Sequence, residues 1–214
     1  MERVFGLAIG YIFGCISPAY FIGRAKGINI KNEGSGNLGA TNVMRVLGKK
    51  PALIVLMVDI FKGVVACLIS YLLFGEKGAA DDNTLIYLLY TGFGVMLGHV
   101  LPFYLEFSGG KGVACYFGTM MFIDFRVALC CLGIFIIIVF LTRYISLGSC
   151  LAVGMAVIIW FAFYMFGISL IQYEGFLESI IIVALMSGLV IFKHHSNITR
   201  LLNGTENKFS FKRS

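Results

Sequence analysis

Residues 53–75 read LIVLMVDIFKGVVACLISYLLFG, an apolar run interrupted by only two charges, Asp59 and Lys62. Its length matches the roughly 20 residues that an α-helix needs to cross the hydrocarbon core of a bilayer. The two charges stand three positions apart, so on a helix they are neighbours on one face. Each costs roughly 2.5 to 3.5 kcal/mol at the centre of a membrane, which makes pairing the expected arrangement. Their spacing leaves a structural and a functional role equally open.

The rest of the chain has the same character. Of its 214 residues 59% are apolar and 13% charged, with 20 Phe, 26 Gly and 3 Pro. A soluble domain carries about a quarter charged residues to keep its surface in water, so a soluble fold and a separate soluble domain are both excluded. Runs at 4–23, 85–105, 127–142 and 147–167 are long enough to cross, and a last run at 180–192 leads into a basic tail. The run at 113–123 is short and crosses only if its polar Tyr116 and Thr119 sit against other helices. The expected fold is an all-α integral membrane protein of seven transmembrane helices, with five as the alternative count, in one polytopic domain over residues 1–214.

Lysine and arginine set the orientation, because they are retained on the cytoplasmic side. Thirteen of them fall on one side of the seven-span arrangement, including Arg24, Lys26, Lys31, Arg45, Lys49 and Lys50 in one loop and five in the tail from Lys193. Arg3, Lys77 and Arg126 fall on the other, together with the acidic loop EKGAADDNT at 76–84. The N-terminus is therefore expected outside and the C-terminus in the cytoplasm. The N-terminal run has one arginine and no small-residue cleavage site, so it reads as an anchor and not a signal peptide. Cys15 lacks a lipoprotein box, and all six cysteines lie in apolar runs without metal-ligand spacing, where they read as packing residues. Asn197 and Asn203 open glycosylation sequons on the side where that modification does not occur.

Three polar clusters, at about 33–48, 98–114 and 193–208, emerge on the same, cytoplasmic face of this topology. The first reads EGSGNLGATN at 33–42 and is followed by Arg45. Glycines alternating with short hydrogen-bonding side chains suit an anion-binding nest, and Arg45 on a following helix favours that reading over a flexible linker. Gly34, Gly36 and Gly39 also match the dinucleotide fingerprint with Asp59 twenty positions on, but that fingerprint needs a strand before it, and here it lies between two spans. The second cluster ends in Gly109-Gly110-Lys111-Gly112, a turn whose ammonium and bare amides can face a phosphate together. It is no P-loop, since Gly112 follows the lysine and Leu105 stands where the first glycine is required. His99 reads either as a ligand or as a polar cap on the inner end of a helix. In the third cluster His194, Asn197 and Arg200 recur every three residues and line one helical stripe, which fits an anionic substrate with a hydroxyl to be oriented. A basic tail contacting anionic headgroups is the simpler alternative.

The segments SGNLGATNVMRVLG, GHVLPFYLEFSGGKGVA and HHSNITRLLNGTE, in that order and spacing, resemble the three motifs of the bacterial PlsY family. The resemblance extends over nearly the whole chain and includes the VDIFKG pair in the second span. These are membrane glycerol-3-phosphate acyltransferases that use acyl phosphate. The resemblance implies transfer of an acyl group from acyl phosphate to the 1-hydroxyl of sn-glycerol 3-phosphate, giving lysophosphatidic acid and inorganic phosphate, the first acylation of phospholipid synthesis. It further implies seven spans in the bacterial inner membrane, a cytoplasmic-side site, a soluble partner enzyme that makes the acyl phosphate, and no use of acyl-CoA. Carried over by motif, Ser35, Asn37, Thr41, Asn42 and Arg45 belong to the first, and Gly109, Gly110, Lys111 and Gly112 to the second, glycerol-phosphate motif. His194 and Asn197 match the essential polar pair of the third, and Glu206 a structural position, with Asp59 and Lys62 structural as well. The catalytic set implied is Ser35, Arg45, Lys111, His194 and Asn197, with Arg200 as a further substrate-binding cation.

The chemistry of the residues agrees with that reading. Both substrates carry phosphate, and Arg45, Lys111 and Arg200 supply cations from three separate clusters. Acyl phosphate is an activated mixed anhydride, so positioning and charge stabilisation suffice and neither a metal nor another cofactor is expected. The His-x4-Asp pattern of other acyltransferases is missing, because Tyr104, Thr199 and Arg200 stand where the acid is required. A small transporter for a phosphorylated solute would use the same cations, but it would place them near the midplane between related halves, and no internal repeat is present. A metal-dependent phosphotransferase would want paired carboxylates, whereas Glu33, Glu106 and Glu206 are widely separated. No nucleic-acid partner is expected. Cysteines introduced at Asn32 and Asn207 should resist an impermeant thiol reagent in intact cells and react after permeabilisation. Labelling of both in intact cells would overturn the orientation.

Overall fold

The computed structural model describes residues 1–75, 82–171 and 173–209, and the regular elements among them are helices, with no strand among the described residues. Most of the loop expected at the outer face (76–81, with Lys77), and Lys212 and Arg213 of the basic tail, lie outside the described residues. The helices are α1 Glu2–Gly14, α2 Pro18–Ala25, α3 Ala40–Leu47, α4 Lys49–Phe74, α5 Asp82–Val100, α6 Val113–Ile123, α7 Phe125–Thr142, α8 Ile145–Met165, α9 Tyr173–Lys193 and α10 His195–Leu202. Six stretches are long and apolar enough to cross a membrane: Glu2–Ala25, Lys49–Phe74, Asn83–Leu105, Phe125–Thr142, Ile145–Met165 and Gly175–Lys193. Helix α6 has 11 residues, about 16 Å at 1.5 Å per residue, which is half a hydrocarbon core. Its Tyr116 and Thr119 are buried, as a helix packed among others requires.

The chain divides into two compact units, Met1–Ile123 and Asp124–Ser214. In the first, α1 and α5 approach closely through glycines. A Cβ on Gly10 or Gly14 would run into the backbone of α5, and one on Gly94 or Gly98 into the backbone of α1. Small residues at such crossings replace the hydrophobic driving force that lipid removes. Gly63 of α4 and Gly118 of α6 serve the same purpose, with a Cβ on Gly118 overlapping the Ile60 carbonyl.

The first span is not one helix. Pro18 has no N–H, so the Gly14 carbonyl loses its helical partner, and α1 stops there and restarts as α2. Three successive carbonyls are left to be satisfied inside an apolar region. Lys62 Nζ donates to Gly14 O at 3.1 Å and to Ile16 O at 2.9 Å, and the Tyr104 hydroxyl donates to Cys15 O at 2.7 Å. The same ammonium pairs with Asp59 Oδ1 at 2.8 Å, as expected from their spacing. Both side chains are almost fully buried, at 4% and 2% exposure.

In the second unit α7, α8 and α9 pack in sequence. Asp124 accepts from the Arg126 N–H at 3.0 Å and caps α7, while the Arg126 guanidinium pairs with Asp124 at 2.6 Å and donates to Ile168 O at 2.9 Å. Trp160 Nε1 donates to Ser179 Oγ at 3.0 Å between α8 and α9. The short α10 lies on α8 and α9, and the Phe209 N–H pins the tail to Arg143 O at 2.7 Å.

Removing the Lys62 ammonium leaves a buried carboxylate without its countercharge, a loss of about 3–5 kcal/mol. It also orphans two carbonyls. Lys62→Met should therefore lower the thermal unfolding midpoint in detergent well below that of Asp59→Asn, which leaves both carbonyls with their donor. Equal midpoints for the two variants would refute the capping role.

Candidate active site

The first polar loop is built around Asn42, which is buried in the first turn of α3. Its Oδ1 accepts from the Ser35 N–H at 2.8 Å, and its Nδ2 donates to Glu33 O at 3.0 Å and Ile30 O at 3.5 Å. Gly34 and Gly36 have φ of 60° and 71°, a left-handed backbone that suits glycine, and a Cβ on Gly34 would strike the Asn42 amide. The loop is thus wrapped tightly on one asparagine. Ser35 and Arg45 are exposed, and Asn37 and Thr41 are half-buried. Arg45 lies in the last turn of α3, away from the helix start where the nest reading would want a cation. Asn42, carried over as a substrate binder, spends its amide on the loop backbone.

The second loop returns along the end of α5. Pro102 stops that helix, and the carbonyls it frees accept from the glycine turn, His99 O from the Gly110 N–H and Val100 O from the Gly109 N–H, both at 3.0 Å. Gly112 has φ of 87° and opens α6 beyond Lys111, which is half-buried. Lys31 reaches from the first loop to donate to Leu105 O at 2.7 Å, and the Leu38 carbonyl lies 2.8 Å from where a Gly110 Cβ would be. The glycine-rich stretches of the first two clusters therefore lie side by side, and that adjacency turns two weak anion motifs into one polar surface.

His99 lies under this surface and is 94% buried, with its Nδ1 2.8 Å from Lys62 Nζ and 3.4 Å from Asp59 Oδ1. Asp59, His99 and Cys115 hold their possible ligand atoms within 4.8 Å of one another, but the cation in that cluster is the Lys62 ammonium.

In the second unit Glu206 gathers donors. Its Oε1 accepts from Asn197 Nδ2 at 2.6 Å and from the Ser146 hydroxyl at 2.8 Å, and its Oε2 from Arg200 Nε at 2.7 Å. Burial pushes the Glu206 carboxyl up, yet the hydrogen bonds from Asn197, Ser146 and Arg200 hold it below the ordinary glutamate value. The chain turns back to bring it there, with the Thr205 N–H returning to Arg200 O at 2.8 Å. His194 stands at the N-cap position of α10 while its Nδ1 lies 2.8 Å from Val190 O of α9, so Nδ1 carries the proton and a neutral ring has its lone pair on Nε2. Asn197 and Arg200 of the predicted stripe thus meet one carboxylate. Ser146 and Lys31 escaped the sequence reading. The serine is one small polar residue inside an apolar run, and the lysine counted only toward topology.

A family model described as glycerol-3-phosphate acyltransferase matches residues 4–204. The chain belongs to that family. Among its relatives, the glycerol-3-phosphate acyltransferase of Thermoanaerobacter sp. (strain X514) is 40% identical over 99% of this chain and 98% of its own length. The one from Clostridioides difficile (strain 630) is 38% identical, covering 96% and 94%. Two crystal structures of PlsY (YgiH), an integral membrane glycerol 3-phosphate acyltransferase, share the fold. The glycerol 3-phosphate form has a TM-score of 0.83 at 33% identity, covering 98% of this chain and 96% of that one. The lysophosphatidic acid form has a TM-score of 0.80 at 32% identity over the same shares.

Because the Glu206 carboxyl is depressed in the folded protein, the stability it adds is complete above the ordinary value of 4.5 and is lost as pH falls through the folded-state value. The thermal midpoint should therefore drop on acidification in the wild type, and Glu206→Gln should start lower at neutral pH and drop less. Parallel pH curves for the two proteins would rule out the carboxylate as the anchor of α10.

Proposed function

We propose that this family member transfers the acyl group of acyl phosphate to the 1-hydroxyl of sn-glycerol 3-phosphate, releasing 1-acyl-glycerol 3-phosphate and inorganic phosphate. The observation that carries this reading is the near full-length likeness to one enzyme solved in both a glycerol 3-phosphate form and a lysophosphatidic acid form. Those two ligands are an acceptor and its acylated product, so the missing reactant is an acyl donor. In the reaction the hydroxyl oxygen bonds to the acyl carbon, the bond from that carbon to the phosphate oxygen breaks, and the hydroxyl proton passes to a substrate phosphate oxygen. Because the donor is already activated, the protein's work is to fix two phosphates and one hydroxyl and to stabilise charge on the carbonyl oxygen.

In this reading Arg45, Lys111 and the Ser35 hydroxyl hold phosphate, with Asn37, Thr41 and the amides around Gly109, Gly110 and Gly112 as further donors. His194 and Asn197 orient the glycerol hydroxyl and polarise the acyl carbonyl. Support for His194 comes from the Val190 carbonyl, which fixes its ring. Arg200 adds positive charge while its Nε stays on Glu206. In this reading the chain is a single polytopic domain of seven spans in the bacterial inner membrane, fed, as the family resemblance implies, by a soluble enzyme that makes acyl phosphate, and the lysine and arginine bias supports an N-terminus outside and a site on the cytoplasmic side.

Purified protein with radiolabelled glycerol 3-phosphate and palmitoyl phosphate should form lysophosphatidic acid, and palmitoyl-CoA should not replace the donor. Comparable turnover with the thioester, or loss in EDTA that magnesium restores, would overturn the donor assignment and the metal-free mechanism respectively. Lys111→Ala removes a charge-assisted contact of about 1.5 to 3 kcal/mol and should lower kcat/KM by roughly ten- to more than a hundredfold. Wild-type kinetics in that variant would remove the lysine from the phosphate site.

A further inference from the structure

We propose that His99 is a positioning residue for the reaction, an imidazole floor that fixes the Gly109-Gly110-Lys111 turn and is itself locked from behind by Lys62. The proposal rests on the reading that this turn holds the phosphate of glycerol 3-phosphate.

Three observations meet on this residue, the first on its backbone and the other two on its ring. Its carbonyl accepts the Gly110 N–H at 3.0 Å, which sets the height of the turn on the end of α5. Its ring lies directly against the Gly110 Cα, since a Cβ there would overlap Nε2 and come within 2.7 Å of Cε1. Glycine at 110 is thus demanded by the imidazole and by the Leu38 carbonyl, 2.8 Å from an added Cβ, and not by a left-handed φ of its own. On its opposite edge Nδ1 stands 2.8 Å from Lys62 Nζ. The same nitrogen is 3.4 Å from Asp59 Oδ1, so this edge of the ring is held by the buried ion pair while Nε2 lies on the side toward the turn. Lys62 cannot give way, because Gly14 O, Ile16 O and Asp59 hold it at 3.1, 2.9 and 2.8 Å. The backbone entering Lys111 therefore rests on a ring whose orientation is set by the buried ion pair.

A side chain in this position controls where the lysine and its neighbouring amides sit without touching substrate. Displacement of a substrate-holding group by about an ångström can cost on the order of a hundredfold in rate. Asparagine separates the two ends of the ring's function. Its amide carries both a donor and an acceptor for the Lys62–Asp59 pair, which preserves the buried network, but it is too short to support Gly110.

The experiment compares wild type, His99→Asn, Gly110→Ala and the double variant as purified monodisperse proteins. It measures the thermal midpoint, both Michaelis constants and direct calorimetric binding of glycerol 3-phosphate. His99→Asn is expected to keep a near wild-type midpoint and KM for acyl phosphate while its KM and Kd for glycerol 3-phosphate rise roughly tenfold or more. Gly110→Ala should weaken glycerol 3-phosphate binding by a smaller factor in the His99→Asn background than in wild type, because the ring it strikes is gone and only the Leu38 carbonyl remains. An unchanged Kd in His99→Asn, or equal factors for Gly110→Ala in both backgrounds, would overturn the proposal, and so would a fall in midpoint with both substrates weakened alike. Calorimetry keeps the two readings distinct. A wild-type protein that binds glycerol 3-phosphate but gives no product from acyl phosphate would fail the donor assignment, while the binding series still decides the role of His99.

Discussion

A backbone carbonyl in the apolar part of a membrane span has no water to turn to, and residues 14–16 present three in a row. The cause is local, a proline at 18 that withholds one N–H and breaks the first span into α1 and α2. Irregular backbone survives at that depth only where protein groups satisfy it. Here the Lys62 ammonium takes two of the carbonyls and the Tyr104 hydroxyl the third. Much else in the first unit follows from that need. The ammonium requires a countercharge, which Asp59 provides from the preceding turn of α4. It also presents its charge to His99, and so fixes the ring on which the glycine turn rests.

An apolar residue could not take over at position 62. Replacing a buried ion pair by well-packed hydrocarbon is often neutral or stabilising when the pair serves only itself. In this protein the cation serves the broken helix as well, and a methyl group offers no hydrogen bond to a carbonyl. The cost of burying the lysine is therefore offset by acceptors that would otherwise be unsatisfied, each worth several kcal/mol in a lipid environment.

The sequence makes the spans legible because bilayer thickness translates directly into run length, and the three polar clusters stand out against apolar surroundings. The pairing of Asp59 with Lys62 is equally readable, since three positions on a helix place two side chains together. The break at Pro18 is not, because residues 4–23 remain apolar across it and hydropathy does not register a missing N–H. Nor is Asn42's task visible. An asparagine in a glycine-rich loop has the same composition whether its amide faces a ligand or the chain itself, and only the distances to Ser35, Glu33 and Ile30 assign it. Ser146 is hidden for a related reason. Its partner Glu206 is sixty positions away, and neither periodicity nor charge connects them.

The two units solve opposite electrostatic problems, and this sorts the motif residues by what they have left to offer. In the first, one buried cation collects acceptors, while in the second one carboxylate collects donors from Ser146, Asn197 and Arg200. A side chain whose capacity is consumed this way holds shape and cannot also supply the strong charge-assisted bonds that a phosphate demands. Lys62, Asn42 and Glu206 are of that kind. Ser35 and Arg45 are not. Both are exposed, and among the described residues neither side chain is engaged in an ion pair or a hydrogen bond to the protein. Asn197 is held by the same carboxylate, with one amide hydrogen on Glu206 at 2.6 Å. The carboxylate thereby orients the amide, just as the Lys62 ammonium holds the edge of the His99 ring in the first unit.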